Sequence, residues 1–562
     1  MTMLNSIYRP WVPKWLALVW HLVLFVPLLS VGSVFSVCSE DTVGGLALWS
    51  EDFTFASLSA MIGVVAMASF YHRLACIRRH RLMLLWGFGA LLVLSAAAAR
   101  AESAWMLAGI NLLMGMIRLT LVVANLSATA RLLLGVDLAV MLGPKGDPRT
   151  TAGWDEAELK RSLLVPVALC IVMWIGQLGL YLTGEYICDN RWQELYRMMM
   201  ALLAVLLVGL VVLEKHRGWT DPPESEELIV KSEEFAAAVP SLPTRPVGYS
   251  SLFILHSSLK YLGNITAVSL AWCAVGYVLI YGKTLDWLHS PRIWWACLLA
   301  VVGFVANRSA EGRSQGENLI EQSRSEDDRY IRRELWHYKN IRRAFIIFTL
   351  AMAVNVSSSL TNAVATIGLS MDTYTTNMLA NWAALGYFIA ALTIVVLRKR
   401  GIGYRWIFAL GFLLYAWTMW QTYNQVQPAA RYEDIRLLTI VRNAAMLMLQ
   451  IIIIAYAFQR LPMRLFPSWV HVMLIGRSVL GPALGVAFYG VGLQYYQQLY
   501  LHTLAAASDS YAVVRLQSTL LAVKQMAGWS LWLCLVLTLL MLIVPWRRRT
   551  LKPAEIPDEI PS

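Results

Sequence analysis

Long apolar stretches recur along the whole chain, and most of them are close to twenty residues in length. A transmembrane helix needs about 20 predominantly apolar residues to cross the hydrocarbon core of a bilayer, so each stretch predicts one crossing. Fourteen such windows are present, at residues 15–38, 53–71, 82–99, 104–125, 163–183, 195–213, 261–281, 291–306, 344–364, 375–397, 404–421, 437–458, 468–493 and 525–545. The pattern predicts an all-α polytopic membrane protein with 14 transmembrane helices.

Two polar segments, 217–260 and 307–343, interrupt the series and suggest how the helices are grouped. The first is rich in Glu, Pro and Ser, a composition that disfavours a packed core. The second contains many charged residues. We expect a polar outer loop at 494–522 before the last crossing. The predicted units are an N-terminal six-helix bundle at 1–216, a cytosolic linker at 217–260, an inserted two-helix hairpin at 261–306, a charged cytosolic segment at 307–343, a C-terminal six-helix bundle at 344–546 and a cytosolic tail at 547–562.

Composition and charge support this interpretation. Hydrophobic residues make up 58% of the chain and charged residues only 15%, whereas a soluble domain is about a quarter charged. When both termini are placed in the cytosol, the 47 Lys and Arg residues fall mainly in cytosolic segments. That asymmetry is the positive-inside rule, so the net charge of +12 orients helices and meets lipid headgroups. It does not predict a surface for nucleic acid. We expect a multi-pass protein of a bacterial inner membrane.

The seven cysteines are scattered and form no CxxC pair, so the sequence predicts no metal site and no cofactor. Only Cys38 and Cys188 fall on the outer side of the predicted topology. In an oxidising compartment they are the one pair placed to form a disulfide; the other interpretation is two unrelated apolar cysteines.

Three arginines lie well inside the apolar windows, away from their ends: Arg118, Arg442 and Arg477. A charge at the bilayer centre costs about 2.5 to 3.5 kcal/mol on insertion scales, so each guanidinium must face protein, water or a bound anion. None of the windows contains an Asp or a Glu. The arginines are therefore predicted to face a substrate cavity that accepts anionic or amphipathic solutes. The alternative is that each one caps the carbonyl groups of a neighbouring helix.

Polar side chains within the windows are the predicted cavity lining. The window 344–364 is the most polar, with Asn355 and Asn362 at the two ends of an eight-residue stretch that also holds three serines and a threonine. Unpaired polar groups are costly in lipid, so this stretch should line a cavity or be locally unwound. Gln177 and Trp382 are assigned to the same lining.

Another window contains residues that favour packing and bending. Gly481 and Gly485 allow a neighbouring helix to approach closely, and Pro482 removes one backbone hydrogen bond. We expect this helix to be tightly packed and bent.

Few titratable groups lie near the spans. His21 lies within the first window, and Glu51 and Asp52 lie at the outer end of the second. These three are the candidates for proton coupling, while the alternative is a hydrogen-bonded packing histidine and two solvated carboxylates.

No enzyme motif is present, since the chain has no HExxH, no Walker lysine loop and no nucleophile elbow. The polar groups are spread through span interiors rather than clustered at one membrane face. This distribution favours a transport pathway over an active site.

The C-terminal third resembles a known family over specific segments, RSVLGPALGVAFYGVGLQYYQQLYLHTL and LLAVKQMAGWSLWLCLVLTLL, and VLRKRGIGYRWIFALGFLL resembles the basic loop that this family repeats in each half. Arg118 and Trp192 also match positions of the family. The family is the 14-span drug:proton antiporters of the EmrB/QacA type, within the major facilitator superfamily. The resemblance implies a major facilitator fold with helices arranged 6 + 2 + 6.

The first half departs from the pattern of that family. The apolar run 15–38 has no aspartate, the first basic loop is reduced to HRLACIRRHR, and LLVPVALCIVMWIGQLGLYL lacks the glycine-rich antiporter motif. The resemblance implies an alternating-access exporter of hydrophobic, amphipathic or anionic compounds, with a periplasmic adaptor and an outer-membrane channel as further partners. The alternatives are a facilitator or a lipid or lysolipid transporter without carboxylate-based proton coupling, and a membrane scaffold that transports nothing.

Overall fold

A computed structural model shows an almost entirely helical protein. The residues that it describes are 8–37, 39–68, 80–134, 192–214, 251–313, 335–336, 338–369, 371, 373–426, 431–458, 465–504 and 510–543. All structural statements below refer to these residues.

The described helices are numbered in chain order. They are α1 (Lys14–Val37), α2 (Ser39–Gly45), α3 (Ser50–Ala68), α4 (His80–Ala98), α5 (Ala104–Leu134), α6 (Trp192–Leu213), α7 (Ser251–Tyr281), α8 (Pro291–Arg313), α9 (Lys339–Asn355), α10 (Ser358–Ala363), α11 (Thr373–Lys399), α12 (Tyr404–Gln425), α13 (Tyr432–Phe458), α14 (Phe466–Leu474), α15 (Gly481–Leu504) and α16 (Tyr511–Ile543). Two π-helical segments, Val364–Gly368 and Ile475–Leu480, follow α10 and α14, and a short 3-10 turn, Trp287–His289, precedes α8.

Ten of the described stretches are long and apolar enough to cross a membrane, and two shorter apolar helices, Lys14–Leu28 and Pro291–Asn307, add to them. The predicted crossing at 163–183 lies outside the described residues. The chain is therefore a multi-pass helical membrane protein, while the number of fourteen crossings stays a prediction.

Several helices extend beyond their apolar windows. The expected outer loop at 494–522 is wrong in extent, because α15 continues to Leu504 and α16 already begins at Tyr511. Residues 493–504 and 511–522 contain no glycine or proline, so nothing stops the helix when its side chains become polar. In the same way, α7 begins at Ser251, inside the range assigned to the linker.

Helices α3 and α5 share the closest seam in the first part of the chain. A Cβ atom added at Gly63 would lie 2.0 Å from the carbonyl oxygen of Leu112, and one added at Gly115 would lie 1.9 Å from that of Ala60. The hydroxyl of Ser59 also donates to the carbonyl of Ala108 across the seam, at 2.8 Å. Glycines therefore let the two backbones touch, which is how apolar helices pack well in lipid.

Two large apolar cores lie on either side of the molecule. One is built mainly from α1, α3, α4, α5 and α6, and the other from α9, α11, α12, α13 and α16. We refer to the described residues 8–214 as the first half and to residues 338–543 as the second half. Val479 and Ala483 belong to the core of the first half although they follow α14 in the second, so this part of the chain joins the halves.

A glycine substitution tests the α3–α5 seam. We predict that Gly115→Ala lowers the free energy of unfolding by about 1 to 3 kcal/mol, because its methyl group must push α3 away. The matched control is Gly109→Ala on the same helix, where an added Cβ meets nothing within 4 Å. Thermal unfolding of both variants in detergent is the measurement, and equal stability of the two would contradict the seam.

Candidate functional site

Arg118 and Arg477 bring two positive charges together across the boundary between the halves. Arg118 lies on α5, and Arg477 lies in the π-helical segment after α14. Their guanidinium groups are close enough for their charges to repel. Both side chains lie deep within the protein but keep part of their surface accessible. The structure therefore concentrates positive charge at the place where the two halves meet.

The π-helical segment that carries Arg477 ends directly before Gly481 and Pro482. Proline has no amide hydrogen, so the carbonyl of Ser478 cannot receive the usual helical hydrogen bond from position 482. The backbone instead forms a wider turn in which the amide of Gly481 donates to the carbonyl of Gly476. Such π-bulges rotate the side chains near them and are frequent at functional sites.

Close contact with α9 holds this segment in place. A Cβ atom added at Gly481 would lie 2.5 Å from the Cβ of Met352, and one added at Gly485 would lie 2.5 Å from the carbonyl oxygen of Ala353. The glycine face therefore lies against α9. Arg477 lies within electrostatic range of Tyr387 on α11.

Arg442 is a third arginine near this pair, and like Arg477 it belongs to the second half. It lies on α13, is only 9% exposed, and is within electrostatic range of both Tyr387 and Tyr415. Next to Tyr387, an added Cβ at Gly386 would lie 2.3 Å from the carbonyl oxygen of Ile440. The backbones of α11 and α13 thus approach closely where this tyrosine and this arginine meet.

Arg442 also bonds to a break in the polar crossing of the second half. Helix α9 ends at Asn355 and α10 begins at Ser358, and the Nη1 of Arg442 donates to the carbonyl oxygen of Ser358 at 3.3 Å. A charged donor forms a stronger hydrogen bond than a neutral one. Arg442 thus connects α13 to the start of α10.

Tyr415 supports the same break from α12. Its hydroxyl lies 3.4 Å from the carbonyl oxygens of Val354 and of Asn355, and it accepts a hydrogen bond from Ser357 at 3.2 Å. Thr361 and Thr422 add a second contact between α10 and α12, at 3.1 Å. Ser357 and Thr361 of this crossing are thus hydrogen-bonded to α12.

The other predicted lining residues have varied positions. Asn362 is exposed on the face opposite to these contacts, and its carbonyl accepts from Thr366. Trp382 is 36% exposed and its ring lies 4.7 Å from the guanidinium carbon of Arg436, a cation–π contact. Gln177 lies outside the described residues, as do Cys38 and Cys188.

Asn111 lies about two turns before Arg118 on α5. Its amide nitrogen donates to the carbonyl oxygen of Ala56 at 2.9 Å, so this residue takes part in the α3–α5 seam.

His21 is fully buried and both of its ring nitrogens are hydrogen-bonded. The amide of Asn125 donates to the His21 carbonyl at 3.0 Å, which turns its Oδ1 toward Nδ1 of the ring, at 2.5 Å. Nδ1 is therefore the donor, and Nε2 accepts from the hydroxyl of Tyr8 at 2.7 Å. A proton added to Nε2 would have to displace that hydroxyl.

Glu51 and Asp52 lie in the first turn of α3. The hydroxyl of Tyr281 on α7 donates to Asp52 at 2.5 Å. Glu51 faces Lys283; burial lowers the pKa of this lysine, and the Glu51 carboxylate opposes that shift. Both carboxylates thus connect α3 to the end of α7.

Three residues of interest were not found by sequence reasoning: Tyr387, Tyr415 and Glu214. The first two are tyrosines inside apolar windows. A buried tyrosine hydroxyl usually has a hydrogen-bond partner, so these positions could have been identified from the sequence as polar contacts between helices. Glu214 directly follows the window 195–213, where a carboxylate is expected to be solvated. Within the described part of the chain, no group of three His, Cys, Asp or Glu residues could hold a metal ion.

No family model and no curated protein matches the chain. Solved structures match nearly its full length. The nucleoside transporter NupG has a TM-score of 0.52 at 11% identity and covers 94% of this chain and 98% of its own. A POT family transporter in complex with a thioalcohol-conjugated peptide has a TM-score of 0.51 at 13% identity, covering 96% and 99%. An auto-inhibited POT family peptide transporter has a TM-score of 0.50 at 12% identity, also covering 96% and 99%.

At these identities the likeness shows the fold alone. The structures are peptide and nucleoside transporters, so they give no support to the drug:proton antiporter family that the C-terminal segments resemble. The chain is an all-α polytopic protein with the fold of these transporters.

Proposed function

We propose that the protein is a secondary transporter that carries small solutes with an anionic group across a membrane by alternating access of its two halves. The observation that carries the proposal is the pair formed by Arg118 in the first half and Arg477 in the second. The fold supports it, since transporters of this kind bind their substrate near the midplane, between two helical bundles.

Like charges repel, so the guanidinium pair stays together at hydrocarbon depth only at a cost. An anion bound between the two groups reverses the sign of the interaction. Because one arginine belongs to each half, the bound anion also draws the halves together on that side. Binding of the solute is thereby coupled to the change of conformation, as a ligand with different affinity for two states must be.

The solute class follows from this chemistry and from the fold. A carboxylate or a phosphate accepts two parallel hydrogen bonds from a guanidinium group. A short peptide with a free carboxylate fits the site, and peptides are the substrates named for the POT family structures. Export of amphipathic drugs, with a periplasmic adaptor and an outer-membrane channel, stays a prediction from the family resemblance.

The π-helical segment gives the second half a point at which α14 and α15 can move relative to each other. Pro482 and the missing helical hydrogen bond make this the weakest part of that crossing. A contact between α14 and the first half, in which Val470 and Leu474 pack on Val64 and Leu119, lies on one side of it. Bending at Arg477 would open that contact.

Substitution of the arginine pair tests the proposal. We predict that Arg118→Gln and Arg477→Gln each weaken solute binding at least tenfold, about 1.4 kcal/mol, because each removes one of the two charges that hold the anion. The measurement is uptake and competition in proteoliposomes, with dipeptides compared against the same dipeptides carrying C-terminal amides. Arg405→Gln is the control, since Arg405 is exposed.

Equal uptake of peptides and their amides by the native protein would contradict the assignment of an anionic solute. Absence of uptake of any solute, with folded protein in the vesicles, would favour the scaffold. Uptake that follows the solute gradient alone, with no effect of a proton gradient, would favour the facilitator.

A comparison of Arg442 with Arg477 tests whether a structural arginine can be distinguished from one that binds solute. We predict that Arg442→Ala lowers the free energy of unfolding by about 1.5 to 3 kcal/mol, because it removes a charged hydrogen bond from the carbonyl of Ser358. Arg477→Ala should leave stability nearer to that of the native protein while it weakens solute binding. Thermal unfolding and solute binding, measured on the same two variants, test this; the reverse order of stabilities would refute the assignment.

A further inference from the structure

A buried carboxyl group lies at the end of α6, outside the site described above. Glu214 is fully buried, and it is the only fully buried acidic side chain among the described residues. It follows Leu213 directly, at the C-terminal end of the helix. The negative end of the helix dipole and the absence of water both oppose a negative charge at that place.

Three elements enclose this carboxyl group. The chain before α1 passes beside it, because Tyr8 forms an antiparallel bridge with Glu214 and the amide of Arg9 donates to the carbonyl of Leu213 at 3.1 Å. Helix α1 contributes the indole of Trp20, which packs against α6 so tightly that a Cβ at Gly209 would lie 2.2 Å from it. The start of α4 contributes Arg81.

Among the described residues, the charged and titratable groups around Glu214 are Tyr8 and Arg9 from the leading segment, His21 from α1 and Arg81 from α4. The hydroxyl of Tyr8 is held by His21, and burial together with the nearby Glu214 raises the pKa of Tyr8. Tyr8 therefore stays neutral while Glu214 can change its charge.

Burial raises the pKa of Glu214 to about 8, although the charge of Arg81 and the indole of Trp20 favour the ionised form. Arg81 also contacts a backbone carbonyl group besides the carboxylate. Its Nη2 lies 3.5 Å from the carbonyl oxygen of Val211, where Arg9 also donates, at 3.1 Å. The Nε of Arg81 is buried and meets no acceptor within the described ranges.

We propose that Glu214 is a proton-binding site of the transporter, and that its protonation fixes the segment before α1 and the start of α4 against the end of α6. The ligand is a proton. When the carboxyl group loses it, the buried charge must gain a stronger partner or reach water, and Arg81 can turn from the carbonyl of Val211 to the carboxylate. That exchange replaces the hydrogen bond between Arg81 and the carbonyl of Val211 with an ion pair to Glu214, so the start of α4 contacts the end of α6 differently in the two protonation states.

This inference rests on the proposed function, because a proton site matters for coupling only if solute is moved. It assigns the coupling role to a residue that was not among the sequence candidates. His21, Glu51 and Asp52 each have a partner that fixes them, whereas Glu214 lies where three helices and the leading segment converge.

The sign of the pH dependence follows from the raised pKa. Between the ordinary value of 4.5 and about 8, the folded protein holds a proton on Glu214 that the unfolded chain has lost. The stability of this contact is fully present below pH 4.5 and decreases as pH rises through about 8. Glu214→Gln, which is always neutral, should remove this part of the dependence.

The direct test is infrared spectroscopy of the full-length protein in lipid. The native protein should show a protonated carboxyl band at pH 6 that disappears with an apparent pKa near 8, and Glu214→Gln should lack it. Glu214→Asp should restore a titrating band, which covers the case in which the glutamine variant does not fold. Glu194→Gln is the control, since Glu194 lies exposed at the other end of α6 and pairs with Arg197.

A band that Glu214→Gln leaves unchanged, or no titrating carboxyl group between pH 6 and 9 in the native protein, would overturn the proposal.

Solute-driven proton movement in proteoliposomes then tests coupling. We expect Glu214→Gln to lose proton movement at least tenfold while solute exchange continues. Native protein that moves solute without protons would refute the proton site and leave the transporter assignment standing; absence of all solute movement would refute the assignment itself.

Discussion

The structure depends on one constraint, which is that a guanidinium group at hydrocarbon depth must have something to bind. Three arginines lie at this depth, in windows that carry no acidic residue. Arg442 meets the constraint with a backbone carbonyl, at the break between α9 and α10. Arg118 and Arg477 lie near each other across the two halves, which increases the cost of both charges. The same residue type thus serves two purposes, and only its surroundings distinguish them.

Close backbone contacts make this arrangement possible. Gly63 and Gly115 bring α3 against α5, which carries Arg118, and Gly481 and Gly485 bring α15 against α9 just after Arg477. Rigid helix pairs of this kind can move as units. The π-helical turn before Pro482 and the broken polar crossing are the places where the second half departs from regular helix, and both lie beside an arginine.

The sequence predicted much of this structure. The apolar windows predicted the helical membrane fold, because about twenty consecutive apolar residues are typical of a membrane-spanning helix. The polar stretch from Asn355 was expected to be irregular, and the helix is interrupted there. Helix ends were less accurate, because apolar character stops at the membrane surface whereas helices such as α15 and α16 continue into polar sequence. Spacing also could not show that Asn111 bonds to the carbonyl of Ala56 on α3. Glu214 was missed for a related reason: a carboxylate just past a window reads as solvated, and only the leading segment folded over it makes it buried.

The account as a whole depends on whether the arginine pair faces a space that solute can enter. The most direct measurement is a cryo-electron microscopy map of the protein in lipid nanodiscs, with and without an anionic peptide. We predict a water-filled opening that reaches Arg118 and Arg477 from one side of the membrane, and density for the anion between the two guanidinium groups. Side chains enclosed by packed helices in every conformation, with no opening and no added density, would contradict it.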